Sequence, residues 1–210
     1  YDGYCSDIFA EQAIEFIENN KEEPFFCYLS FNAPHTPLQV PDNYYQMYQD
    51  IDPASGFEKD DRPFVEMSEK DKEDARKVYA MVTNIDDNVG KLFQKLKELK
   101  IADNTIVIFM TDNGPQQVRY VAGMRGRKGN VFQGGVRVPF YMQYPAKFKK
   151  EADIDVMAAH IDILPTLADL CNVDVPETNP IDGKNLVPLL KGKTVDWTDR
   201  SLFFYWTRRY

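Results

Sequence analysis

Asp112 and Asn113 stand side by side where an apolar run, T-I-V-I-F-M from Thr105 to Met110, gives way to T-D-N-G-P. A carboxylate followed by a carboxamide places two hard oxygen donors next to each other, which suits calcium or magnesium. The carboxyl end of a buried strand is also where open α/β sheets form their sites. Asp-Asn-Gly is equally ordinary turn material, and these three residues alone support either reading.

The next stretch adds a second kind of chemistry. From Gly114 to Lys150 there is no Asp or Glu, whereas Arg119, Arg125, Arg127, Lys128, Arg137, Lys147, Lys149 and Lys150 are basic, in a chain whose net charge is -8. Such an island is either a solvated loop or a place for an anion. The R-G-R-K-G cluster lies between glycines and Gly134-Gly135 follows, so backbone amides can approach a small anion closely. A lysine ammonium is a compact point charge that suits sulfate or phosphate. Beside a candidate cation site, the anion reading gains ground. Of the two histidines, His35 lies between Pro34 and Pro37 just past the run Phe25–Phe31, on a rigid turn where a proton-transfer group can serve. His160 opens the segment H-I-D-I-L-P-T-L and reads as structural.

The elements that must position these residues alternate. Ile8, Phe9, Ala13, Ile14, Phe16 and Ile17 predict a helix over residues 7–19. Phe25–Phe31 and Thr105–Met110 predict strands buried on both faces, and Val138–Tyr144 predicts a third strand. Ser68 with Asp71 predicts a capping box, and the stripe from Val78 through Met81, Val82, Ile85, Val89, Leu92, Phe93 and Leu96 to Leu99 predicts one long helix. Ile161–Cys171 predicts a short helix with Pro165 in its first turn, Asp182-Gly183 a turn, and residues 50–67 a surface loop. This order implies an α/β fold with a mostly parallel sheet flanked by helices.

Composition narrows the classes. With 210 residues, 43% hydrophobic and 28% charged, the chain is ordinarily globular. A pI near 4.9 argues against a polyanion-binding surface over the whole molecule, so nucleic acid is not an expected partner. No apolar run approaches the ~18 residues of a membrane span. Cys5, Cys27 and Cys171 are widely spaced without a CxxC pair, which argues against zinc and against a disulfide framework. Cys27 and Cys171 are expected in the core. No export signal is legible at Tyr1.

Five motifs in order then become recognisable: P-F-F-C-Y-L-S-F-N-A-P-H-T-P, V-Y-A-M-V-T-N-I-D-D-N-V-G-K-L, I-V-I-F-M-T-D-N-G-P, R-G-R-K-G-N-V-F-Q-G-G-V-R-V-P and H-I-D-I-L-P-T-L-A-D-L. Together they resemble the type I sulfatases of the alkaline phosphatase superfamily, from about Tyr4 to Trp206. The resemblance implies a sulfuric ester hydrolase acting on a sulfated small molecule or sulfated glycan. It implies calcium, with magnesium possible, held by Asp112 and Asn113 together with an Asp pair from a first strand. It places His35 at the leaving-group oxygen and Lys128 on the sulfate oxygens, with Arg127 beside it in substrate binding. Two alternatives stay open: a phosphonate or phosphate monoester hydrolase of the same superfamily, and a non-catalytic binder of sulfated ligands.

The sequence departs from the family pattern in two features. The family's nucleophile is a formylglycine made from Cys or Ser in a C/S-x-P/A-x-R motif, and none of the cysteines lies in one. Asp60-Asp61 and Asp86-Asp87 fall on a loop and a helix rather than after an apolar strand. Residues 1–210 are therefore expected to be a partial catalytic domain, with the nucleophile-bearing half and a small C-terminal subdomain elsewhere. The missing half of its own domain is then an expected partner, and the isolated chain should be inactive, with apolar strand faces exposed. The resemblance implies a periplasmic, extracellular or lysosomal setting.

Overall fold

The computed structural model describes residues 2–56, 66–148, 152–175, 180–193, 195–197 and 200–206. The chain divides into two compact units, residues 1–141 with 205–210 and residues 142–204.

The first unit is organised by helices. α1 (Cys5–Asn20) packs against α3 (Glu69–Glu98), and the short α2 (Asp42–Tyr45) packs against α3 as well. α3 begins where the sequence predicts: the Ser68 hydroxyl accepts from the Asp71 N–H, and the Asp71 carboxylate accepts from the Ser68 N–H. Two of the first-turn amides that a helix start leaves unbonded are thereby satisfied. Ala10, Ala13 and Ile17 of α1 and Ala75, Val78, Ala80, Met81, Ile85 and Leu96 of α3 are all buried, and the two helices are in contact.

Polar groups are buried there too, and each has a partner. Asn84 and Asn88 are fully buried, and both side-chain amides donate to one oxygen of Asp7, at 2.8 and 2.7 Å. A satisfied network of this kind fixes the register of two helices that smooth apolar faces would leave free to slide. Val82, placed by its spacing on the apolar stripe, is instead 48% exposed, because it lies at the edge of that stripe.

The strands are shorter than the sequence suggests. β1 spans Val107–Met110 and pairs with β2 (Phe140–Gln143), of which Phe140 and Tyr141 belong to the first unit. Pro139 has no N–H to donate, which delays the start of β2 relative to Val138. The Phe109 and Tyr141 rings meet at 6.5 Å between centroids, and both side chains remain exposed. Phe25–Phe31 forms no strand among the described residues. Alternate residues are half-buried, while Phe26 and Tyr28 stand 75% and 72% exposed. An apolar run becomes a doubly buried strand only with a ladder partner on its edge and cover on both faces, and here the run has neither. A short 3-10 turn at Ala102–Asn104 leads from α3 towards β1.

In the second unit, a 3-10 turn (His160–Asp162) leads into α5 (Ile163–Cys171), with Pro165 in the first turn as expected. Asn172 ends α5 in the left-handed conformation at φ 53°. Val173 N–H then closes on the Ala168 carbonyl at 2.9 Å. α6 is Val187–Leu190.

The expected turn at Asp182-Gly183 is not formed. Gly183 is required for a different reason: a Cβ there would sit on the Ile161 carbonyl. All three cysteines are free thiols. Cys27 is half-buried and Cys171 exposed, so the core placement fails for Cys171, whose position at the end of α5 turns it to solvent. Asp60-Asp61, Lys149 and Lys150 lie outside the described residues.

Candidate functional site

The strand end and the basic loop are one construction. Immediately after β1, the Gly114 N–H donates to the Gly135 carbonyl at 2.9 Å, and the Lys128 N–H donates to the Pro115 carbonyl at 2.8 Å. The loop that carries Lys128 is thus folded back onto the strand end that carries Asp112 and Asn113.

Glycines permit this, through close approach more than through turn geometry. A Cβ on Gly114 would overlap the Gly134 carbonyl, one on Gly134 would overlap the Gly126 carbonyl, and one on Gly135 would overlap the Asn130 carbonyl. The short helix α4 (Gln133–Val136) is therefore seated inside the 125–130 turn, with Gly134 N–H to Arg125 O at 2.7 Å. Asn130 closes that turn by accepting from the Arg127 N–H at 3.2 Å. Arg125 lies over the Phe132 ring, 3.9 Å from its centroid, which directs it away from Lys128's role.

At the strand end, Asp112 is exposed and Asn113 half-buried. Asp112 Oδ1 accepts from the backbone N–H and the side-chain amide of Asn113, at 2.9 and 2.8 Å. The Asn113 amide nitrogen is bonded to Asp112 Oδ1, so its carbonyl oxygen and Asp112 Oδ2 are left as two oxygen donors. That chemistry fits a hard cation. Two donors are fewer than the roughly six to eight oxygens calcium takes, so the pair accounts for part of a ligand set. Among the described residues no group of three or more His, Cys, Asp or Glu is placed to hold a metal.

Lys128 is half-buried and has no carboxylate partner among the described residues. Arg127 is exposed and lies towards the start of α3. The Asp71 carboxyl is held below its ordinary value by the Ser68 hydroxyl and N–H, with a smaller contribution from Arg127.

His35 stands on a separate turn. Both flanking peptide bonds, Ala33–Pro34 and Thr36–Pro37, are cis, and His35 N–H closes the turn on the Asn32 carbonyl at 3.0 Å. Nδ1 of the exposed ring lies 2.8 Å from the Thr36 carbonyl, which can only accept. The proton of neutral His35 therefore sits on Nδ1 and leaves the Nε2 lone pair outward. The turn is fastened to the start of α1 by Tyr4 Oη donating to the Gln39 carbonyl at 2.9 Å. Hydrogen bonds thus join Asn113 to Asp112 and tie the Lys128 backbone to Pro115, two residues beyond Asn113, while His35 is held by bonds of its own.

Sequence reasoning counted Arg119 only as one more basic residue. The structure half-buries it beside Tyr79, and burial lowers its pKa from the ordinary arginine value. Its position between Val118 and Tyr120, in a segment free of acids, is the signal that could have separated it from the solvated arginines.

A profile described as Sulfatase matches residues 1–173. The steryl-sulfatase of Homo sapiens is 30% identical over 217 residues, which cover 98% of this chain and 32% of that protein. Among solved structures, Ps i-CgsB in complex with k-i-k-neocarrahexaose is 31% identical at a TM-score of 0.75, over 92% of this chain and 40% of that one. The phosphonate monoester hydrolase of Agrobacterium radiobacter is 26% identical at a TM-score of 0.74, over 94% and 45%. The chain spans between about a third and a half of the length of the curated relatives it matches.

Proposed function

Because the chain belongs to the sulfatase family, we propose that the protein hydrolyses sulfate esters of carbohydrate or aryl alcohols. Its α/β fold is of the alkaline phosphatase-like kind. One observation supports the reading: the Lys128 N–H bonds to the Pro115 carbonyl, which ties the loop of a lysine that has no carboxylate partner among the described residues to the strand end that bears Asp112 and Asn113.

In this reading Asp112 and Asn113 are two of the ligands of a calcium ion, with magnesium as the substitute. When bound, that ion supplies positive charge against the sulfate oxygens. Lys128 holds the same oxygens from its own loop, and its attraction strengthens as negative charge gathers on them in the transition state. Arg127 adds a second cation for the substrate. His35, whose Nδ1–H is held by the Thr36 carbonyl, donates a proton from Nε2 to the departing alkoxide oxygen when the ring is doubly protonated, and is left as the neutral Nδ1–H form. The nucleophile is a formylglycine derived from a Cys or Ser other than Cys5, Cys27 and Cys171.

The carbohydrate bound in Ps i-CgsB supports a sulfated glycan as substrate. The likeness to a phosphonate monoester hydrolase favours a second reading, in which the same cations meet a phosphonate ester. Turnover of nitrophenyl sulfate against a nitrophenyl phosphonate ester separates the two, because the faster substrate names the reaction. Calorimetric titration tests the metal role without activity: Asp112→Ala should weaken calcium binding, and unchanged binding would remove Asp112 from the ligand set.

A further inference from the structure

A shallow, open cleft of about 570 Å³ lies in the first unit, lined by Tyr48, Tyr79, Val82, Thr83, Arg119 and Tyr120. None of these residues takes part in the chemistry above. The volume lies within the roughly 300–1,000 Å³ of small-ligand sites, and the lining has their composition, aromatic walls with few polar groups. The walls are held in place. The Tyr48 and Tyr79 rings lie 5.9 Å apart at 57°, and the Tyr48 hydroxyl is fixed against the Thr83 hydroxyl at 2.5 Å.

Arg119 is the charge in this cleft. Its guanidinium makes a long contact of 3.4 Å to Gln117 Oε1 and has no ion-pair partner among the described residues. A half-buried guanidinium keeps its charge and has lost part of its water, so it is poised for an anion that can take two of its N–H groups together. The cleft is also tethered to the candidate catalytic loop. Arg119 is four residues beyond Pro115, whose carbonyl holds Lys128, and four residues reach at most roughly 14 Å.

We propose that this cleft is a second subsite, which takes a sugar residue bearing a carboxylate or a sulfate from the same oligosaccharide whose ester meets Asp112, Asn113 and Lys128. The tyrosine faces flank the ring, and Arg119 pairs with its anion. The proposal rests on the sulfatase reading for the role of the bound sugar, and its test reads binding alone. Two tetrasaccharides distinguish the anions: one from hyaluronan, with carboxylates only, and one from carrageenan, with sulfates only. Cellotetraose is the neutral control.

In the protein, Arg119→Gln should weaken at least one anionic tetrasaccharide by about tenfold, the scale of one charged contact, and leave cellotetraose unaffected. The arm that loses more identifies the anion. Arg119→Lys keeps the charge without the fork and should recover part of the affinity. It carries the test if the Gln variant does not fold. Undiminished binding of both anionic probes overturns the subsite, as does an equal loss for cellotetraose. Arg119-dependent binding in an intact protein, with its nucleophile-bearing half, that does not turn over nitrophenyl sulfate supports the subsite and overturns the sulfatase reading.

Discussion

Both units pair a carboxylate with a cation, and they use the pairing to opposite ends. In the second unit Asp162 is fully buried and Arg200 nearly so, and the guanidinium makes two contacts of 2.6 Å to the carboxylate. The same carboxylate accepts from the N–H groups of Ala159 and Lys184 at 2.7 Å each, so every lone pair facing the interior is used. At the Asp112–Lys128 site, the carboxylate is exposed, the ammonium has no carboxylate partner among the described residues, and the backbone alone joins their loops. Charges that face each other hold a structure together. Charges carried on joined loops, with no ion-pair partner among the described residues, are available to a ligand.

Removing one charge from each region should break this comparison or uphold it. The largest effect belongs to Arg200→Ala, which strands a buried carboxylate and should cost about 3–5 kcal/mol of stability. Denaturant unfolding followed by the fluorescence of Trp197, whose indole donates to the Met157 carbonyl in the same unit, reports it. A loss below about 1 kcal/mol would place this pair among exposed ones.

Lys128→Ala should do the reverse. In the intact protein, kcat/KM should fall by about 10²–10³, and stability should stay within about 0.5 kcal/mol. Added calcium should not restore the rate, whereas in Asp112→Ala it should restore part of it. A large loss of stability in Lys128→Ala would mean that the lysine is structural.

His35→Ala sharpens the functional side. Sugar sulfates, with poor leaving groups, should slow by about 10²-fold or more, and nitrophenyl sulfate much less, because only the former need a proton. Equal losses on both would leave His35 a positioning residue.

The smallest effect is on pH. Burial alone would raise the pKa of Asp162, but Arg200 and the two backbone N–H groups outweigh it and hold the carboxyl below its ordinary value. A depressed carboxylate contributes stability above its unfolded pKa of about 3.9 and loses it as pH falls towards the folded value. Trp197 unfolding midpoints should therefore decline below about pH 4, and Arg200→Ala should flatten that decline.

The sequence reading was most accurate where structure is local. The capping box of α3, the helical stripe behind it and Pro165 in the first turn of α5 each depend on residues within a turn or two. It went astray where a segment needs a distant partner. Phe25–Phe31 has the composition of a central strand, but its edges and faces are filled by whatever lies beside it. Gly183 showed its glycine without showing the carbonyl of Ile161 that demands it. At the site, motif order marked Asp112, Asn113, Lys128, Arg127 and His35, and the structure adds how three of them are joined. The Arg119 cleft was illegible because Tyr48, Tyr79 and Arg119 are far apart in sequence and meet only through α3.

The interlocked glycines have a consequence for how this loop can diversify. Gly114, Gly134 and Gly135 hold the site by backbone contacts that no Cβ can enter, whereas the exposed side chains of Gln116 and Gln133 lie outside those contacts. A saturation library should therefore show columns depleted of every other residue at these three glycines, and strain at Gly126, whose φ is 91°. Selection can rewrite the exposed neighbours for new substrates without re-solving the problem of where the lysine goes.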